Sequence, residues 1–223
     1  MFKRRPNRLF PLACIVLLAA SAVCAEPENH AAFMANGEYR EAFDAYSATL
    51  REARSRLDPK DFAAVEKAVM AEVKDSAKAD VSAGASEAEA WSAAYAAGSE
   101  RLNREMKWDW LRRNPEGVQG FYRMRSKAFD GWLAVEKGDA PDLYAVQIFA
   151  VRKRAPRNIG ELDGFGILTG NVMQAAYKHD DGNSVRITFT EDTATIAEPK
   201  AFKESGRLGA GVSFDGEFVR EKK

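Results

Sequence analysis

Two hydrophobic periodicities divide the chain. Tyr39, Phe43, Tyr46, Leu50, Ala53 and Leu57 recur at steps of three and four, which is one face of an α-helix over 37–57. Asn36 is placed to cap its first turn. A second helix opens at Asp58-Pro59-Lys60-Asp61, where Asp58 suits the cap, Pro59 the first turn and Asp61 the positive end of the helix dipole. Its stripe is Phe62, Val65, Val69, Val73 and Ala77. Ser82-Ala83-Gly84-Ala85 breaks the pattern, and Ser86 with Glu89 forms a capping box for a third helix. Trp91, Tyr95, Leu102, Met106 and Trp110 follow at helical spacing until Pro115. The surface pairs Arg40/Asp44 and Glu52/Arg56 add only about 0.3–0.5 kcal/mol each. The stripes therefore decide the reading: three antiparallel helices around an aromatic core, with a ligand groove as the alternative use of the same rings.

Beyond Pro115 the period falls to two. The predicted strands are 118–125, 131–137, 143–154, 163–169, 172–179, 184–190, 193–197 and 212–220. Val185, Ile187 and Phe189 alternate with Arg186, Thr188 and Thr190, as on a half-buried strand. Asp180-Asp181-Gly182-Asn183 is the strongest turn signal and predicts a hairpin between the strands on either side. Many short strands in about 100 residues suggest a small closed barrel or a curved sheet. Gly120-Phe121-Tyr122-Arg123 and Gly216-Glu217-Phe218-Val219-Arg220 are alike, as first and last strands meeting to close it would be. The expected class is α+β: an N-terminal antiparallel helical module, then a small antiparallel β-barrel or curved β-meander.

Composition places the boundary. Residues 26–116 hold 21 alanines and 3 glycines, whereas 117–223 hold 12 and 13. Ahead of both, Lys3, Arg4, Arg5 and Arg8 precede an apolar run from Leu9 to Ala22, then Val23-Cys24-Ala25. A basic start, a short apolar stretch and small residues at −3 and −1 read as a secretory signal cleaved after Ala25. Three segments follow: 1–25 signal, 26–116 helical module, 117–223 β domain. The rest carries 29 basic against 33 acidic residues, a net charge of about −4, which argues against a general nucleic-acid binder. Both cysteines, Cys14 and Cys24, fall within the signal. The exported chain would have no disulfide, thiolate metal site or cysteine nucleophile.

Several segments together resemble secreted bacterial proteins of the lysozyme inhibitor LprI-like group. One is Glu87-Ala88-Glu89-Ala90-Trp91 through Ser99-Glu100-Arg101-Leu102, matching an Ala-rich helix of that group. The β half offers Gly164-Phe165-Gly166, then Val185-Arg186-Ile187-Thr188-Phe189, then Leu208-Gly209-Ala210-Gly211-Val212-Ser213-Phe214-Asp215-Gly216-Glu217-Phe218. The likeness spans roughly residues 35–223, with its specific part in the last 65 or so. Relatives usually brace the β domain with cysteines at positions that read here as Gly160, Asn183, Glu204 and Leu208. The resemblance implies an inhibitor that binds a lysozyme in the cell envelope.

Catalytic chemistry finds little footing. The chain has two histidines: His30, near the new N-terminus, and His179, beside Asp180 and Asp181 at a turn tip. No nucleophile elbow accompanies Ser184 or Ser213. The His179 cluster lacks the three fixed ligands of a zinc site and the position-12 carboxylate of a calcium loop. Glu161 and Asp163 share a strand face, but no cleft is implied. Gly164-x-Gly166 lacks the helix of a phosphate cradle. No cofactor, no metal and no catalytic residue are expected. Two basic loops are the nominated partner-binding elements: Arg152, Lys153, Arg154 and Arg157 in one, Lys203 and Arg207 in the other. The alternative role of the first, which the sequence favours, is solubility and protection of a strand end. Lys107-Trp108-Asp109-Trp110-Leu111-Arg112-Arg113 suits a membrane surface or, alternatively, packing of the helices onto the sheet. The sequence thus predicts a monomeric or weakly associated, non-enzymatic binding protein of the periplasm, secreted or retained there. Its partner would be a lysozyme or another envelope protein. The rival is a barrel holding an apolar ligand or lipid.

Overall fold

A computed structural model describes residues 27–178, 183–206 and 208–223. The chain forms α1 (His30–Phe33), α2 (Gly37–Arg56), α3 (Pro59–Ser82) and α4 (Glu87–Arg113). The strands are β1 (Gly120–Met124), β2 (Phe129–Lys137), β3 (Leu143–Arg152), β4 (Ile159–Thr169), β5 (Val172–Tyr177), β6 (Ser184–Phe189) and β7 (Thr193–Ala197). After the short α5 (Lys200–Glu204), β8 (Gly216–Glu221) ends the order. A helical region thus precedes an all-antiparallel closed barrel of eight strands in sequential order, the α+β class expected. Two compact units arise from contacts: Met1–Ala48 with Glu66–Gly98, and Thr49–Val65 with Ser99–Lys223.

The helix boundaries follow local chemistry. Asn36 Oδ1 accepts from the Tyr39 N–H at 3.1 Å, and Asp58 Oδ1 from that of Lys60 at 3.0 Å. Ser86 and Glu89 make the reciprocal capping box, with N–H donations of 3.2 and 3.4 Å, satisfying donors the helix leaves open. In the first unit, Tyr95 is the hub of an aromatic cluster with Tyr39, Tyr46 and Trp91, its ring centroids 5.3–5.7 Å from theirs. Gly98 lets Val73 and Tyr46 approach α4, since a Cβ there would lie 2.7 Å from Val73 Cγ2. His30 is anchored on α2: Nδ1 lies 2.7 Å from Tyr39 Oη, and its ring packs on Phe43 at 4.6 Å.

The second unit holds the barrel. Its interior is one cluster that includes Tyr122, Leu133, Val146, Ile148, Ile187 and Phe218, all fully buried. The similar first and last strands do meet: Tyr122 pairs with Arg220 and Met124 with Phe218. Tyr122 locks this seam. Its hydroxyl donates to the Val118 carbonyl at 2.8 Å and accepts from Arg220 at 2.6 Å. Burial raises the phenol to about 12, against the opposing pull of Arg220.

Several boundaries differ from the sequence expectation, two of them by four residues. β4 begins at Ile159, not residue 163. β8 begins at Gly216, not 212, because 212–215 is held by side chains instead of a ladder, although Val212 and Phe214 are buried. The α5 turn was not foreseen; it inserts Phe202 into the core, parallel to Tyr177 at 6.1 Å. On α4, Trp110 leaves the predicted stripe and stands 47% exposed, while Trp108 and Leu111 are buried. The helix is covered on a second face, where Trp108 and Leu111 meet Phe121 and Ala134 of the barrel wall.

Candidate functional site

The inner positions of β4 are Gly160, Leu162, Gly164, Gly166 and Leu168; the outer ones are Ile159, Glu161, Asp163, Phe165 and Ile167. This reverses the usual economy of a barrel strand, in which bulk faces inward. The inner glycines are dictated by neighbours. A Cβ on Gly164 would strike the Ala176 backbone carbonyl, and one on Gly166 the side chain of Met173. Neighbouring strands therefore come close to β4 here and fill the interior. The outer face carries the bulk: Ile159 is 54% exposed, Phe165 44% and Ile167 61%. Glu161 and Asp163 lie between them, also exposed. Apolar side chains gathered on one face at such exposure make it a candidate contact surface.

Among the nominated cations, Lys153 and Lys203 make local contacts. Arg152 ends β3, and Lys153, Arg154 and Arg157 lie in the following bend. Lys153 Nζ donates to the Ser126 carbonyl at 2.8 Å, tying that bend to the approach to β2. Lys203 pairs with Asp215 at 2.5 Å, and this hydrogen bond raises its pKa. Arg207 lies outside the described residues, as do His179, Asp180 and Asp181 of the turn and the basic–apolar N-terminal segment.

Beside Lys203 is a buried carboxylate that sequence reasoning did not single out. Glu198 is 8% exposed. It accepts from the Phe214 N–H at 2.5 Å and from the Ser213 hydroxyl at 2.8 Å. Burial raises its pKa, against those two donors. A raised carboxyl beside a serine invites a catalytic reading, but no histidine completes the set among the described residues. Its work is to hold 212–215 onto the barrel in place of strand pairing. Among the described residues, no group of three or more His, Cys, Asp or Glu side chains is placed to hold a metal, and no helix is long and apolar enough to cross a membrane.

What sequence reasoning missed was the length of β4 and the meaning of its outer face. The signal was present in the alternation from Ile159 to Ile167, masked because all inward positions but Leu162 are glycines. Comparison with protein-family models, characterised proteins and solved structures gives no match.

Proposed function

We propose that this is an exported, non-enzymatic binding protein that engages a protein partner through the outer face of β4, and that the partner is a lysozyme whose action it blocks. The observation that carries the reading is the exposure of Ile159, Phe165 and Ile167 around Glu161 and Asp163. Apolar anchors give such a surface affinity. The two carboxylates, with a net charge of about −4 once the first 25 residues are removed, steer it toward a basic protein.

The LprI-like resemblance supplies the identity of the partner. One contact supports it: a Cβ at Gly160 would lie 2.9 Å from Leu208 Cδ2. Two of the positions that carry cysteines in relatives are therefore neighbours, and a leucine fills the space. An apolar ligand inside the barrel has less support, because Val146, Ile148, Met173 and Ala175 belong to the packed interior.

The test is titration of the purified protein against c-type, g-type and i-type lysozymes, with a cell-wall lysis assay. Saturable binding with inhibition of one type is expected, weakened about tenfold or more by Phe165→Ser with Ile167→Thr. Absence of binding at ~10 µM, an affinity weaker than about −7 kcal/mol, overturns the reading.

A further inference from the structure

A second site lies on the barrel wall beneath α4, within the unit that contains the barrel. It is a cavity of about 370 Å³ whose lining includes Arg101, Arg104, Arg112 and Arg123. Its apolar side is aromatic: Trp108, Trp132 and Phe149 line it, with Trp132 stacked near-parallel on Phe149 at 5.8 Å. A cavity with an aromatic wall and a few converging polar groups is the usual form of a small-molecule site.

The arginines are not equivalent. Arg101 pairs with Glu105 at 3.0 Å. Arg112 and Arg123 share Glu221, at 3.0 and 3.3 Å, and the Arg112 guanidinium lies over the Phe121 ring at 4.2 Å. Arg104 has no ion pair among the described residues, and its Nε is buried without an acceptor. The same holds for Nε1 of Trp108, whose side chain is 7% exposed. Residues 104 and 108 are one turn apart on α4, hence on one face. Two residues that line one cavity thus each bury an N–H donor without a partner. Such groups are uncommon in folded proteins and costly to leave bare.

We infer that this cavity binds a small organic monoacid with a flat, apolar body. A carboxylate fits the unmet donors, since a guanidinium edge presents parallel N–H groups to its two oxygens and the indole N–H adds a third. The body of the ligand lies along Trp132 and Phe149. Asp130 and Glu161 also line the cavity. Both are exposed, and their charges disfavour phosphate and other multiply charged anions. The cavity shares Glu161 with the outer face of β4, but the inference does not rest on the partner-binding reading of that face.

The probe is 2-naphthoate, titrated into the purified protein by calorimetry and by tryptophan fluorescence, beside 2-naphthalenemethanol and inorganic phosphate. Saturable naphthoate binding is expected, with the alcohol and phosphate each at least tenfold weaker. Trp108→Phe keeps an aromatic ring and removes the N–H, and should weaken naphthoate roughly fivefold. Arg104→Gln should weaken it tenfold or more, with an unchanged thermal midpoint. The inference is overturned by absence of naphthoate binding at ~1 mM, by equal binding of the alcohol or of phosphate, or by unchanged affinity in both variants.

Discussion

The outside of the barrel is finished in two ways. Over β1 and β2 it is covered: Trp108 and Leu111 of α4 lie on Phe121 and Ala134, and Leu111 and Phe121 are fully buried. On β4 it is bare, and Ile159, Phe165 and Ile167 stand 44–61% exposed. Both faces place large apolar residues outward. On the first, burial explains them, because removing a leucine-sized surface from water is worth about 1.5–3 kcal/mol. On the second, folding gains little from them. On the function proposed above, the contrast separates residues kept for stability from residues kept for contact, and it can be broken by substitution.

The largest effect is expected on the covered side. Leu111→Ala should cost about 2–5 kcal/mol, read as a lower denaturant midpoint with little change in slope. A loss near zero would mean that α4 does not contribute to the wall's stability, and the contrast would fail. Gly164→Ala comes next. It lies on the bare strand but faces inward, where the Ala176 carbonyl blocks a Cβ. A cost of about 1–3 kcal/mol is expected from forced overpacking. Together these two would place the stability of β4 on its inside and that of β1 and β2 on both sides.

The covered side is also pinned by charge. Lys223 Nζ pairs with Asp61 of α3, and with buried Asp109 of α4 at 2.6 Å. Its hydrogen bond lowers the Asp61 pKa. Burial opposes charge on Lys223, yet the hydrogen bonds it donates to Asp109 and Asp61 prevail and its pKa is raised. A carboxylate with a lowered folded pKa contributes stability above its ordinary value of 3.8 and loses it as pH falls through the lowered one. A lysine with a raised folded pKa contributes below 10.5 and loses it as pH climbs through the raised one. Lys223→Ala should therefore lower the unfolding free energy by roughly 0.2–1 kcal/mol across the neutral range, the size of a solvent-screened pair. The difference from wild type should shrink at both extremes of pH. A difference that grew on acidification would contradict the clasp.

These faces were not equally legible in the sequence. Helix ends could be read because caps act locally: Asn36, Asp58 and Ser86 each bond backbone within three residues. Barrel closure showed in two similar strands. The covered face was half legible, since Trp108 and Trp110 are equally apolar, and which of them meets the wall depends on tertiary placement. The bare face was hidden because pattern reading assumes that bulk points inward. At β4 the interior is already occupied by Met173 at Gly166 and by Leu208, Val212 and Phe214 at Gly160. The cavity beneath α4 left no local trace at all. Its arginines come from a helix and from β1, and only the fold shows which of them lack a partner.

The smallest stability effect is the most informative. Ile167 is 61% exposed, opposite Leu143 on one side and Gln174 on the other. Thr keeps the β-branch that suits a strand and removes apolar surface already largely in water. Ile167→Thr should therefore shift stability by no more than about 0.5 kcal/mol, within the error of most unfolding curves. Binding is a separate matter. An exposed residue that serves as an anchor loses affinity when trimmed, whether or not the fold notices. Thermal midpoint and lysozyme titration on this variant thus form a pair. An unchanged midpoint with weakened binding would make β4 the contact surface. A midpoint lowered as much as in Leu111→Ala would show that this face is covered in solution, and the difference between the two sides of the barrel would vanish.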